Sequence, residues 1–255
     1  MLQMVAYWEP KEGTSTSEWE DGAAFSAQTG WFAIADGAST ANSSREWAYL
    51  LTDSFVHDQP TAALEVEDGA GRRAFLEWVR AARTRFDPHS PEFPPSRMPS
   101  WVQSAGERLG AHATFLGGRI NDGEIKAVAV GDCCLFHAMT EQARPRSFPL
   151  TDPGQFGTAP ALVSSLEAGD GRLAESVRHY RAPMARGNVV FAASDALAEW
   201  LSRGADRPEL WHALARIGHE GFSELCQDLR ANREMKNDDV TLWRASLARS
   251  PGVAV

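Results

Sequence analysis

Apolar-rich runs over residues 2–8, 23–28 and 31–35 predict three strands, the last two joined by a turn at Thr29 and Gly30. A different period takes over after the segment IADGAST. Trp47, Leu50, Leu51 and Phe55 recur on one helical face, and Ser43 with Glu46 has the spacing of a capping box. Phe75, Trp78, Val79, Ala82 and Phe86 mark a second helix, which the proline-rich stretch 87–100 cannot continue. A helix over 101–109 then leads into apolar runs at 113–116, 125–130 and 134–138, with the turn formers Asn121, Asp122 and Gly123 between the first two.

Residues 145–172 are rich in Pro, Gly, Asp and Thr and predict irregular loops with one short helical turn. Beyond them, strands are predicted over 176–181 and 188–193. Helical sets follow at Leu197, Trp200 and Leu201 and again at Phe222, Leu225, Cys226 and Leu229, before a closing strand over 240–245. Strands and helices thus come in separate runs, which points to an α+β fold with helices covering sheet faces and not to a regularly alternating parallel sheet. At 255 residues and 43% hydrophobic content, one domain spanning residues 1–255 has enough material for a sizeable core.

Charge narrows the choice of partner. There are 34 acidic against 25 basic residues, a formal net charge of -9, and no run rich in Lys or Arg, which argues against a nucleic-acid or anionic-membrane surface and favours divalent cations. The start MLQMVAYWEP lacks a basic region followed by a long apolar stretch, and no later segment approaches the roughly 18 apolar residues of a spanning helix, so a cytoplasmic location is expected. Cys133 and Cys134 are adjacent and Cys226 stands apart, a pattern that fits neither a disulfide framework nor a zinc ribbon. The histidines show no HExxH or comparable ligand spacing, and His112 alone falls beside a segment of interest.

Candidate chemistry lies in where the aspartates fall. Asp36 closes the apolar run FAIAD, Asp132 follows KAVAVG, Asp195 follows NVVFAAS, and Asp238 stands immediately before DVTLW. Taken singly, each has a plain reading as a turn former or helix cap, Asp36 because Gly37 follows it and Asp195 because a helix starts at Ala196. Taken together, they punctuate strands dense enough in apolar residues to be buried, and carboxylates gathered at one edge of such a sheet cannot all stay ionised without protons or cations. Hard oxygen ligands favour Mg²⁺ or Mn²⁺, and a pair of such ions about 3.5 to 4 Å apart suits hydrolysis of a phosphate ester.

Five segments, SEWEDGAAFS, IADGAS, AVGDCCLFH, AASDALAEWL and NDDVTLW, resemble in the right order the signature segments of the PPM/PP2C serine/threonine phosphatases, from about Glu20 to Trp243. The resemblance implies an α/β/β/α sandwich of two central, mostly antiparallel sheets flanked by helices. It implies a hydrolase acting on phosphoserine or phosphothreonine in proteins, with Mn²⁺ or Mg²⁺ as cofactor in two ions and a third, weaker position. Carried over residue by residue, Asp36 would bridge two ions, the Gly37 carbonyl would bind one, and Asp195 with Asp238 would hold the other. Glu20 and Asp21 would orient the waters of the ions, and Asp132 with Asp195 would make the third position. The carboxylates expected to carry catalysis are thus Asp36, Asp195, Asp238 and Asp21. The expected partner is a phosphorylated protein substrate or a partner kinase, and the DGAST segment followed by SSREWAYLL resembles bacterial stand-alone members.

Departures from the family pattern keep other readings open. Thr16 stands where many members carry a phosphate-gripping arginine, which leaves Lys11 and Arg45 as candidates for that task. Ala38, Ser39 and Thr40 replace the usual histidine or methionine and paired glycines, Ala196 replaces the glycine after Asp195, and Cys133 replaces a serine. A phosphatase-like regulatory module without turnover, or a phosphatase of a small phosphorylated metabolite, are the alternatives.

Overall fold

The computed structural model describes residues 1–15, 18–38, 43–65, 69–87, 110–138, 144–157, 159–168 and 170–247. One sheet runs in the order β1 (Leu2–Glu9), β11 (Val240–Leu247), β10 (Val189–Ala193), β6 (Cys134–Ala138) and β7 (Arg146–Phe148). The other runs β2 (Gly22–Ser26), β3 (Trp31–Gly37), β4 (His112–Asn121), β5 (Glu124–Val130) and β9 (Arg178–Pro183), with the two-residue β8 (Val163–Ser164) on β4. Every strand pair is antiparallel. The helices among the described residues are α1 (Ser44–Asp58), α2 (Ala70–Arg85), α3 (Asp170–Ser176), α4 (Asp195–Arg203), α5 (Pro208–Leu214) and α6 (His219–Ala231).

Strand periodicity sorts the side chains into three apolar layers. On β3, Phe32 and Ile34 point between the sheets, where they meet Leu116, Leu135, Val190 and Trp243, and the Phe32 and Trp243 rings stack at 4.0 Å with 14° between planes. The alternate residues Trp31, Ala33 and Ala35 point the other way, onto Trp47, Leu51 and Phe55 of α1 and into the layer that holds Phe75, Trp78 and Val79 of α2. On the far side, Phe136, Phe191 and Leu242 pack with Leu197 and Leu201 of α4, Trp211 of α5 and Phe222 and Cys226 of α6. Helix, sheet, sheet and helix therefore stack as four layers around three apolar seams, the α+β sandwich that the resemblance implied.

Local differences from the sequence reading have physical causes. Ser43 does precede α1, but its backbone is left-handed (φ 63, ψ 21) and its side chain makes no cap hydrogen bond, so the predicted capping box does not form. An N-cap oxygen reaches the first free N–H groups from an extended backbone, which Ser43 does not have. Within the stretch read as irregular, β7 and β8 pair with β6 and β4, and α5 appears where no helix was predicted. The predicted helix over 101–109 and most of the proline-rich connection lie outside the described residues. Among the described residues, no helix is long and apolar enough to cross a membrane.

Candidate metal centre

Antiparallel pairing brings one end of several strands together. Gly22 opposes Ala35, Gly37 opposes Ala113, and Phe115 opposes Val130, so the start of β2, the end of β3, the start of β4 and the end of β5 share one edge. In the other sheet Ala193 lies between Leu242 and Cys134, and Glu9 opposes Val240, which places the end of β10 and the starts of β6 and β11 together. The two edges meet. Thr241 donates its hydroxyl hydrogen to Asp21 Oδ2 at 2.6 Å, and Thr114 Oγ1 lies 3.1 Å from Cys133 Sγ.

Asp36 continues the Phe32 and Ile34 register of β3, so its side chain caps the seam between the sheets. Gly37 follows in a tight place, where an added Cβ would lie 2.7 Å from the Glu20 carbonyl oxygen. Asp132 sits on the β5–β6 turn behind Gly131, whose φ of +96 and close approach to Thr114 and the Ala161 carbonyl admit only glycine. Asp195 opens α4 and accepts from the Ala196 N–H, so the helix starts directly at the metal-ligand candidate despite the alanine after it. Asp238 precedes β11 and takes the Asp239 N–H at 3.0 Å.

These acids feel one another. Burial pushes the Asp36 carboxyl well above its ordinary range, and the charges of Asp21, Asp195, Asp238 and Asp132 push it further. Asp21, fully buried, is raised well above the usual carboxylate range by desolvation, with Thr241 and Ser194 opposing and Asp239 and Asp195 adding. Asp132 is raised to about 7 by burial and then by Asp195, with Lys236 pulling the other way. Asp238 is raised by burial and by Asp195. Asp21, Asp36, Asp132, Asp195 and Asp238 thus act on one another electrostatically, while Glu20 is held by Lys11.

The donor set fits hard divalent cations. Asp21 Oδ1 and Asp132 Oδ1 are buried without a hydrogen-bond partner among the described residues, and such oxygens are costly unless a cation or proton meets them. Among the described residues, no three His, Cys, Asp or Glu side chains form a finished ligand group around one point. Part of the set is engaged elsewhere: Lys236 Nζ lies 3.1 Å from Asp195 Oδ2, and Lys11 Nζ lies 2.8 Å from Glu20 Oε2.

Several supporting residues escaped the sequence reading. Asp239, buried beside Asp238, accepts the backbone N–H of Lys11 at 2.9 Å and of Glu20 at 2.8 Å, which fastens the acidic pair to the start of β11. Arg230 on α6 donates to the carbonyls of Pro10 at 2.9 Å and Asp238 at 2.7 Å, pinning the same junction from behind. Ser194 Oγ accepts the Thr241 N–H at 2.9 Å. A polar residue immediately beside each acid was the only available signal, since the partners lie more than 200 residues apart for Asp239 and Arg230 with the first strand region. Of the two candidate phosphate grips, Lys11 faces Glu20, Asp239 and Asp238, and Arg45 lies over the Tyr49 ring at 5.5 Å. Thr16, Ser39 and Thr40 are outside the described residues. His112 spends Nδ1 on the Gly110 carbonyl at 3.2 Å, and Cys133 and Cys134 are buried in the packing.

No family model and no curated protein sequence matches the chain. Solved structures do. The Mycobacterium tuberculosis serine/threonine phosphatase PstP/Ppp superposes with a TM-score of 0.61 at 16% identity, covering 97% of this chain and 99% of that one. The PstP catalytic domain in complex with two manganese ions gives 0.59 at 14% identity, over 97% and 99% of the two chains. PppA, a regulatory component of the type VI secretion system of Pseudomonas aeruginosa, gives 0.57 at 16% identity over 96% and 97%. With nearly full coverage on both sides and two antiparallel sheets between helical layers, the chain has the PP2C-like phosphatase fold.

Proposed function

We propose that the protein is a metal-dependent phosphatase that hydrolyses phosphoserine or phosphothreonine monoesters in a protein partner. One observation carries this reading: Asp21, Asp36, Asp132 and Asp238 share a strand edge at which each is driven away from its ionised form by burial and by its neighbours. A fold has little to gain from such a cluster unless divalent cations complete it. The two manganese ions of the similar PstP catalytic domain support the same type of cofactor here, Mn²⁺ or Mg²⁺.

When bound, the ions supply positive charge that eases proton loss from water and neutralises the phosphoryl oxygens. The chain's own residues do the rest. Asp36, Asp195, Asp238 and the Gly37 carbonyl would hold the ions, with Glu20 and Asp21 placed to orient water and Asp132 to contribute at the margin. Asp239 and Arg230 keep the strand ends in place. Lys11, tethered at Glu20 and in the field of Asp238, is the residue we assign to meet a phosphate in place of the family's arginine. Cys133 takes no part, because burial, and then Asp36, holds its thiol protonated.

A second reading has its own support. Because Lys236 already engages Asp195, a module that binds phosphorylated partners without turnover fits the same geometry. Hydrolysis of an aryl phosphate and of a phosphothreonine peptide, with Mn²⁺ and with chelator, separates the two. The phosphatase reading expects a Mn²⁺-dependent rate that Asp36→Asn abolishes. Mn²⁺ uptake without turnover on either substrate would leave the binding module.

A further inference from the structure

Lys236 stands on the connection between α6 and β11, two residues before Asp238, and its ammonium reaches over the start of α4. There it meets Asp195 Oδ2 at 3.1 Å and Glu199 Oε2 at 3.5 Å. Asp195 and Glu199 are one helical turn apart, so both carboxylates rise from the same face and can share one cation. Asp132 lies within the field of the same ammonium. A compact point charge with three donors thus sits against Asp195 and acts on Asp132 through space, the pair to which the resemblance assigns the third ion position.

We propose that Lys236 is a tethered cation that takes the place of a third metal ion at Asp132 and Asp195, so that the protein loads two divalent ions. This rests on the metal-dependent reading above. Of the carboxylates there, Asp195 also serves another ion and Glu199 is held by Lys236 itself, so a free ion finds few ligands. A covalently held ammonium is always present at that point and needs no recruitment from solution. The Lys236 stem is half exposed, so the side chain can be replaced without disturbing the core.

Titration of the chelator-stripped protein with Mn²⁺, read by calorimetry and by the electron-spin signal of the free ion, tests the proposal without recourse to activity. Wild type is expected to bind two ions per chain. Lys236→Met, which keeps the stem and removes the charge, is expected to take up a third, or to bind its weakest ion tighter by up to roughly fivefold, the factor for an exposed ion pair at the upper end of its usual strength. Lys236→Arg keeps a cation and should stay at two. Adding Asp132→Asn to Lys236→Met should remove the extra ion. If Lys236→Met, folded by circular dichroism, binds the same number of ions with the same constants as wild type, the proposal is overturned and the metal reading stands. Three ions in wild type overturn it too. No Mn²⁺ uptake by wild type overturns the metal reading itself, and this inference with it.

Discussion

Thr241 on β11 donates a 2.6 Å hydrogen bond to Asp21 at the head of β2, and both side chains are buried where the two sheets meet. The hydroxyl is one of two side-chain groups, with Ser194, that favour the charged form of this acid against its desolvation. Thr241→Val keeps the shape and removes the donor. The variant is expected to lose about 1–3 kcal/mol of stability, the usual cost of leaving a buried polar group without its partner. Urea denaturation at neutral pH in the presence of chelator measures it. An unchanged midpoint would show that Asp21 does not depend on the hydroxyl.

Asp36→Asn separates function from stability. The carboxyl is disfavoured in its charged form by burial and by Asp21, Asp195, Asp238 and Asp132, so the folded chain holds a proton there that the unfolded chain releases. Removing that linkage should stabilise the metal-free protein above neutral pH, where the unfolded chain has released the proton and the folded chain has not. The same variant should lose Mn²⁺-dependent hydrolysis and most of its Mn²⁺ affinity. A metal-free melting temperature at pH 8 below that of wild type would contradict the electrostatic account of the site.

The strand ends that build the site were legible because their pattern is local. The run FAIAD is apolar up to the acid itself, and β6 falls on the predicted residues 134–138. What the sequence did not disclose depends on distant partners. β7 and β8 have three and two residues and exist only because β6 and β4 lie alongside them. α5 is only seven residues long and buries Trp211 and Leu214 with Leu210 at their edge, less than two full turns of pattern. In the site, Asp238 and Asp239 are the same letter side by side. Only the fold reveals that Asp239 spends both oxygens on the Lys11 and Glu20 amides while Asp238 faces the acids. Lys236 likewise reads as a solvated surface charge until α4 brings Asp195 and Glu199 beneath it.

The cysteines should be silent in the native protein. Burial holds the Cys133 thiol well above its ordinary range, with Asp36 adding to it, and pushes Cys134 and Cys226 to about 12. The reactive species is the thiolate, so neither access nor charge favours attack. Ellman's reagent at pH 8 is expected to titrate none of the three within minutes in the folded state and all three in guanidinium. Brief alkylation should leave hydrolysis unchanged. A fast-reacting native thiol together with loss of activity would place a cysteine in the chemistry.

Asp132 supplies the pH dependence. Its carboxyl moves from an ordinary 3.8 to about 7 in the fold, chiefly through burial and then through Asp195. Its contribution is therefore complete below about pH 4, where folded and unfolded chains are both protonated. It declines as pH rises toward 7, because the unfolded chain releases a proton that the folded chain retains. The total loss is on the order of 4 kcal/mol for the metal-free protein and is spent by a little above pH 7. His137 and His179, held below 6.5 by burial, act in the opposite sense at mildly acidic pH, so the measurement compares wild type with Asp132→Asn at each pH. In chelator, the stability advantage of Asp132→Asn should widen between pH 4 and 7 and then level off. Millimolar Mn²⁺, which favours the ionised acids, should narrow it. An advantage that does not change with pH in chelator would mean that Asp132 ionises in the fold as freely as in water.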